Sequence, residues 1–168
     1  IHIPTSDRHL AARGQVARLE ATLDRLGLTV STGRVVDFRA REQIRQKQEA
    51  GTCPLIYPCH FNGLFVTWPA DKSRKPSAIR DDAQTQRLII PSAVYVLTKR
   101  FTSKEERRRV VACICDPVRI QTQRVGFENH LNYIHAGGMG LDMPLAKGLW
   151  AYLNSSILDL YFRQFNGH

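Results

Sequence analysis

The four cysteines are the most reactive side chains in this sequence, since a thiolate can bind zinc or act as a nucleophile. They form two close pairs, Cys53 with Cys59 and Cys113 with Cys115, and neither pair has the Cys-x-x-Cys spacing of most zinc sites. Cys59-His60 completes a zinc site only if the fold brings both pairs together. Cys113 and Cys115 project to one face of a predicted strand, as small buried side chains do. We therefore expect reduced, buried thiols, with a zinc site as the alternative.

The sequence lacks the motifs of three enzyme classes that act on nucleotides or nucleic acids. Amino-methylation of a base requires an Asn/Asp-Pro-Pro-aromatic loop, and the only Asp-Pro pair continues as Asp116-Pro117-Val118. The glycine cluster at 137–140 lacks the spacing of a dinucleotide or S-adenosylmethionine site. No lysine has an acidic residue two positions before it, as common metal-dependent nucleases require. His130 and His135 have no recognisable acidic motif nearby, so we expect hydrogen-bonding or core roles for both.

The charge of the chain favours a polyanionic partner. The net charge is +9, and most of the 24 basic residues are arginines, whose rigid fork matches phosphate oxygens and the guanine edge. A high-GC genome also raises the arginine content, so the distribution is more informative than the number. More than half of the excess lies in 99–124, a concentration that indicates nucleic acid or another polyanion. This segment contains Lys99, Arg100, Lys104, Arg107, Arg108, Arg109, Arg119 and Arg124 against Glu105, Glu106 and Asp116.

Two groups of basic residues lie in predicted loops. Lys72, Arg74 and Lys75 follow Trp68-Pro69, and Lys99-Arg100 and Arg107 to Arg109 stand at the two ends of one hairpin connection. The alternative is an ordinary solvated turn that Glu105 and Glu106 partly neutralise. Nearby aromatic residues can stack on unpaired bases, but we expect them to fill a core; they are Tyr57, Phe61, Phe65 and Trp68.

The order of predicted elements favours an α+β fold. The 168 residues, 43% of them hydrophobic, are enough for one domain spanning 1–168, and no apolar run reaches the roughly 18 residues of a membrane span. An amphipathic helix is predicted over 6–27 and another over 142–161. Between them lie short β-rich runs, at 55–57, 64–68, 88–90, 93–97, 110–115 and 127–134, and a short exposed helix at 40–50. Consecutive strands predict a mostly antiparallel sheet flanked by an N-terminal and a C-terminal helix.

Several segments resemble the C-terminal half of adenine-specific DNA methyltransferases of type II restriction–modification systems. The most specific are Lys99-Arg100-Phe101-Thr102-Ser103-Lys104-Glu105-Glu106 and Glu128-Asn129-His130-Leu131-Asn132-Tyr133. The others are 31–39, 54–58 with His60-Phe61, 75–79 and 148–168. The sequence starts at Ile1 rather than a methionine, and residues 165–168 are unlike a natural stop. We therefore expect a piece of a longer protein.

The resemblance implies a target recognition domain that positions duplex DNA for base flipping, while a domain missing here binds S-adenosylmethionine and carries out methylation. It supplies no catalytic residue, cofactor or metal site for this chain, and it implies a bacterial, cytoplasmic, nucleoid-associated enzyme. The expected DNA-binding residues combine the matched positions with the first basic loop: Lys72, Arg74, Lys75, Lys99, Arg100, Lys104, Arg107, Arg108, Arg109, Asn129 and His130. Two alternatives are an assembly domain whose basic patch binds an acidic protein, and a nuclease with an unrecognised site.

Overall fold

The computed structural model describes residues 6–70, 73–103 and 105–164, and within them the predicted α+β class is confirmed. The helices are α1 (Asp7–Ala17), α2 (Pro117–Ile120), α3 (Met143–Leu153) and α4 (Ser156–Arg163). The strands are β1 (Thr29–Thr32), β2 (Ile44–Arg45), β3 (Thr52–Ile56), β4 (Phe61–Asn62), β5 (Phe65–Val66), β6 (Ala78–Arg80), β7 (Ile89–Pro91), β8 (Tyr95–Lys99), β9 (Ala112–Cys115), β10 (Arg124–Phe127) and β11 (Leu131–His135). No helix in these three ranges is long and apolar enough to cross a membrane.

The strands form two mixed sheets, where the sequence predicts a single one. The first has the order β1-β11-β8-β9-β5-β4 and the second the order β2-β6-β3-β10-β7. Most pairings are antiparallel, but β3 with β10 and β5 with β9 are parallel. The predicted strand at 127–134 is in fact the end of β10 and most of β11, which belong to different sheets. The turn at residues 128–130 carries the chain from one sheet to the other.

The two sheets pack face to face around an apolar core. Alternate residues of β8, β9 and β11 face alternate residues of β3, β7 and β10, as the two-residue period of strands requires. Tyr95, Phe127 and Tyr133 bridge the sheets, with ring centroids 5.3–5.7 Å apart. Trp68 and Phe61 pack against this core and Tyr57 is 1% exposed, as expected for core aromatics.

The outer face of each sheet is also covered. Helix α3 packs on the first sheet through Ala146 and its neighbours, and Val35 and Ala40 cover the second sheet. The predicted C-terminal helix is broken because the Asn154 side chain turns back to bond the carbonyls of Trp150 and Ala112, at 2.9 and 3.1 Å, and Ser155 caps α4. The predicted N-terminal helix ends early, at Ala17, and the predicted helix at 40–50 is a turn followed by β2.

Candidate nucleic-acid interface

Five loops meet at one end of the molecule, which we call the loop end: 34–41, 57–60, 73–77, the described residues 100–103 with 105–111, and 128–130. Strands β3 and β10 are parallel, so both of their carboxyl ends point there, and Val35 forms a parallel bridge with Glu128. Strand β8 ends beside the start of β11, and the Arg100 amide donates to the His130 carbonyl at 2.8 Å. The direction of the strands therefore brings together loops that are distant in sequence.

Tyr57, Asp37 and Lys75 form the first cluster at the loop end. The Tyr57 hydroxyl donates to Asp37 Oδ1 at 2.8 Å, and Lys75 Nζ donates to Asp37 Oδ2 at 3.1 Å. The ammonium also lies 5.0 Å from the centroid of the Tyr57 ring. Burial raises the pKa of Tyr57, and the bond to Asp37 raises it further, so the phenol is a fixed donor. The cluster holds Lys75 at the surface, where its side chain is 53% exposed.

Glu128 and His130 form the second cluster. Glu128 is 2% exposed, and its carboxylate accepts from the His130 amide at 3.0 Å while Oε1 lies 2.5 Å from His130 Nδ1. A buried carboxylate with both oxygens engaged fixes the orientation of the imidazole, as in other carboxylate–histidine pairs. His130 thus has a hydrogen-bonding role, as the sequence analysis expects, with an acidic partner that no sequence motif indicated. The ring itself is 57% exposed, so its Nε2 edge faces outward.

Arg100 and Phe101 extend this cluster into solvent. Arg100 Nη1 lies 3.5 Å from the Asn129 carbonyl, and its guanidinium carbon is 5.1 Å from the centroid of the Phe101 ring. The same ring lies 5.8 Å from the His130 ring, edge to face. Phe101 is nevertheless 63% exposed. An exposed aromatic ring between two nitrogen-rich groups provides a surface on which a base can stack.

Only part of the second basic group is exposed, because some of its residues contact Glu106 or α4. Lys99 pairs with Glu106 at 3.1 Å, and the Arg109 amide donates to Asp159 at 2.6 Å. Arg107 is exposed, whereas Arg108 and Arg109 are half-buried, and Arg108 Nη1 and Arg109 Nε have no partner among the described residues. Of this group, therefore, Arg100 and Arg107 present their charge most openly.

The basic segment 99–124 does not form one patch. Strand β9 leads away from the loop end, so Arg119 and Arg124 lie at the opposite end of the sheets. Arg119 packs over the Phe65 ring at 3.9 Å, and Arg124 pairs with Asp81 at 3.3 Å. Of the other expected DNA-binding residues, Arg74 is exposed beside Lys75, and Lys72 and Lys104 lie outside the described residues.

Three of the four cysteines are buried, as the sequence analysis expects. Cys53, Cys113 and Cys115 are buried and Cys59 is exposed. Burial raises the pKa of Cys53 to about 12 and that of Cys113 to about 11, so these thiols stay protonated near neutral pH. Within residues 6–70, 73–103 and 105–164, no three histidine, cysteine or acidic side chains are grouped so that they can hold a metal ion.

His60, at the loop end, and His135, at the far end of β11, should make the stability of the protein pH-dependent. His60 is 2% exposed and its Nδ1 accepts from the Tyr57 amide at 2.9 Å, while His135 Nδ1 accepts from the Gly138 amide at 2.9 Å. Burial lowers both pKa values from 6.5, and Arg34 lowers that of His135 further. The unfolded chain therefore takes up more protons below pH 6.5. The unfolding free energy should fall as the pH decreases from 7.5 to 5.5, by at most about 1.4 kcal/mol per pH unit for each histidine.

Urea denaturation at several pH values measures this slope. In a His60→Gln variant the residue no longer titrates, so the decrease should be shallower. An identical pH profile in that variant would show that His60 is not buried in its neutral form.

Sequence comparison connects this geometry to known proteins. The chain is 45% identical over 168 residues to the type II methyltransferase M.PstI of Providencia stuartii. The alignment covers 100% of this chain and 33% of the relative. It is similar over its whole length to part of a type II methyltransferase. A second such enzyme, M.BsuBI of Bacillus subtilis, is 46% identical over 147 residues, or 88% of this chain and 29% of the relative.

This chain thus spans about a third of the length of these type II methyltransferases, as expected for a piece of a longer protein. No protein-family model matches it, and no solved structure matches it significantly. The similarity agrees with the resemblance drawn from the sequence, while Asp37, Tyr57 and Glu128 were not foreseen as the residues that organise the loop end. Of the three, only Tyr57 lies at the end of a predicted strand, at 55–57, and Glu128 lies near the start of the strand predicted at 127–134.

Proposed function

We propose that this chain is the target recognition domain of an adenine-specific DNA methyltransferase from a type II restriction–modification system, located in the C-terminal half of that enzyme. The observation that carries the proposal is the loop end. Five of the six segments on which the family resemblance rests contribute to its five loops, namely 31–39, 54–61, 75–79, 99–109 and 128–133; the sixth, 148–168, does not. Residues that both the charge pattern and the resemblance select thus lie on one surface that holds exposed cations and an exposed aromatic ring.

The arrangement suits the two tasks of such a domain. Lys75, Arg100 and Arg107 present positive charge to phosphates, which positions a protein on the duplex without reading the sequence. Asn129 and His130 offer an amide and an imidazole edge, and an asparagine amide can pair with both major-groove atoms of adenine. Binding energy gathered here offsets the few kcal/mol needed to flip a base out of the stack.

The cofactor is assigned to the remaining part of the enzyme. S-adenosylmethionine supplies the methyl group in this reaction, and its site needs free backbone amides in a glycine-rich turn. In this chain the Gly138 amide donates to His135 at 2.9 Å, and the Met139 amide donates to the Ala136 carbonyl at 2.8 Å. Two amides of the glycine-rich turn at 137–140 are therefore engaged internally, and this turn also lacks the required spacing, so its residues do not fit the cofactor. The proposed enzyme acts in the cytoplasm, at the nucleoid.

Salt-dependent binding to DNA tests the proposal. Contacts with five to eight phosphates predict that the affinity of the purified chain for a short duplex falls with salt, with a log–log slope of about −4 to −7. Fluorescence anisotropy at four or more salt concentrations measures the slope. A flat response, or no binding at low salt, would contradict a DNA-facing role. Nicking of a plasmid in the presence of magnesium would instead favour the nuclease alternative.

A further inference from the structure

A second surface is not explained by DNA binding. A groove of about 990 Å³ lies on the outer face of the first sheet, beside α3 and α4. Its walls are mainly apolar, and they come from residues 19–30, from the first sheet and from the two C-terminal helices. Representative lining residues are Leu23, Leu26, Val30, Leu149 and Phe162. We call this the apolar groove.

The side chains along one wall are unusually exposed for their type. Leu19, Leu26 and Val30 are 49%, 43% and 45% exposed, and Phe162 on the other wall is 38% exposed. Single exposed apolar residues are common on soluble proteins, but a continuous lining of them is typical of a binding surface. Among the described residues nothing covers these side chains.

The length of the relatives indicates the occupant. This chain accounts for 33% and 29% of the two methyltransferases it resembles, so most of each polypeptide lies outside the matched region. If that remainder packs against this domain, it needs an apolar surface on which to do so. The apolar groove is a surface of that kind.

Basic residues line the rim of the groove, and the rim lies next to the loop end. Lys99, Arg100 and Arg109 line one end of it, and Arg109 Nε is buried without a partner among the described residues. An acidic side chain on the occupant would complement this rim. Arg100 and Phe101 belong both to this rim and to the loop end. Whatever occupies the groove therefore lies next to the proposed DNA surface, where a methylating domain must lie.

We propose that the apolar groove binds an apolar element with an acidic flank, contributed by the part of the same polypeptide that lies outside residues 1–168. The inference rests on the proposed function, because it assumes that this chain belongs to a larger methyltransferase. It adds to that function a docking surface that adjoins the one for DNA and shares Arg100 and Phe101 with it.

Site-specific photo-crosslinking in the full-length polypeptide tests the proposal. p-Benzoyl-phenylalanine is placed at Leu26 or at Phe162, in the two walls of the groove, and at Val118 as a control. Val118 is 79% exposed and lies on α2, at the opposite end of the sheets. After irradiation without DNA or cofactor, peptide mass spectrometry identifies the attachment site. Both groove positions should cross-link within one molecule to a peptide outside residues 1–168, and Val118 should not.

Each other outcome contradicts the inference. Cross-links between two molecules would assign the groove to a second copy, and cross-links to residues 1–168 would show that the domain covers its own groove. Absence of cross-links from both positions would mean that the groove stays open. Because no DNA is present, failure here leaves the salt-dependent binding intact, and loss of DNA binding leaves the cross-link intact. The two proposals therefore fail separately.

Discussion

Replacing Arg100 with glutamate should weaken binding to a short duplex by about 10- to 100-fold. The exposed guanidinium is proposed to contact phosphate, and a hydrogen bond to a charged group contributes about 1.5–3 kcal/mol, which corresponds to that range. The new carboxylate would also repel the phosphates. The side chain makes a 3.5 Å contact with the Asn129 carbonyl and packs on Phe101, so the fold should tolerate the change. Anisotropy titrations at one fixed salt concentration measure the loss.

Arg119→Glu is the matched control. Arg119 belongs to the same basic stretch of sequence, and its side chain is 55% exposed, but it lies at the opposite end of the sheets. Both variants change the net charge equally, so general electrostatic attraction falls by the same amount in each. A similar loss of affinity in both variants would mean that the loop end has no special role. Arg108 and Arg109 are poorer test positions, because their half-buried side chains make loss of binding hard to separate from loss of folding.

The sequence predicts the features of the fold that depend on local patterns, and misses those that depend on contacts distant in sequence. Short β-rich runs between two helical periods are local features, and they were enough for the α+β class. The division into two sheets depends on the turn at Glu128-Asn129-His130, whose residues interrupt an apolar run by only three positions. The local pattern therefore predicts a single strand at 127–134. The break in the C-terminal helix depends on the bond of Asn154 to Ala112, 42 residues away, which no helical period contains.

The candidate site was predicted in composition but not in arrangement. Basic residues are visible in any sequence, so Lys75 and Arg100 could be selected in advance. Which end of the molecule they occupy depends on strand direction, and this separates Arg100 from Arg119 although both lie in one basic segment. The bond of Tyr57 to Asp37 joins residues 20 positions apart, so it becomes visible only after the strands are paired.

Replacing Gly33 with alanine should lower the unfolding free energy by about 3 kcal/mol or more. A Cβ at this position would overlap the carbonyl group of Glu128 and the carbonyl oxygen of Phe127. Both neighbours are backbone, so no flexible side chain can move away, and overpacking of this kind commonly costs 1–3 kcal/mol and sometimes more. The Gly33 amide also donates to the Leu131 carbonyl at 2.8 Å, which holds the two segments together.

Gly14→Ala is the control for this change. Gly14 lies inside α1, and a Cβ there meets nothing within 4 Å. The same substitution should therefore stabilise the protein by about 0.5–1 kcal/mol, because alanine favours the helix. Urea denaturation of the two variants measures the opposite signs. If Gly33→Ala unfolds at the parent's midpoint, then residues 33–35 do not pass against Glu128. The buried carboxylate would then lose the packing that fixes His130, and with it the geometry proposed for the loop end.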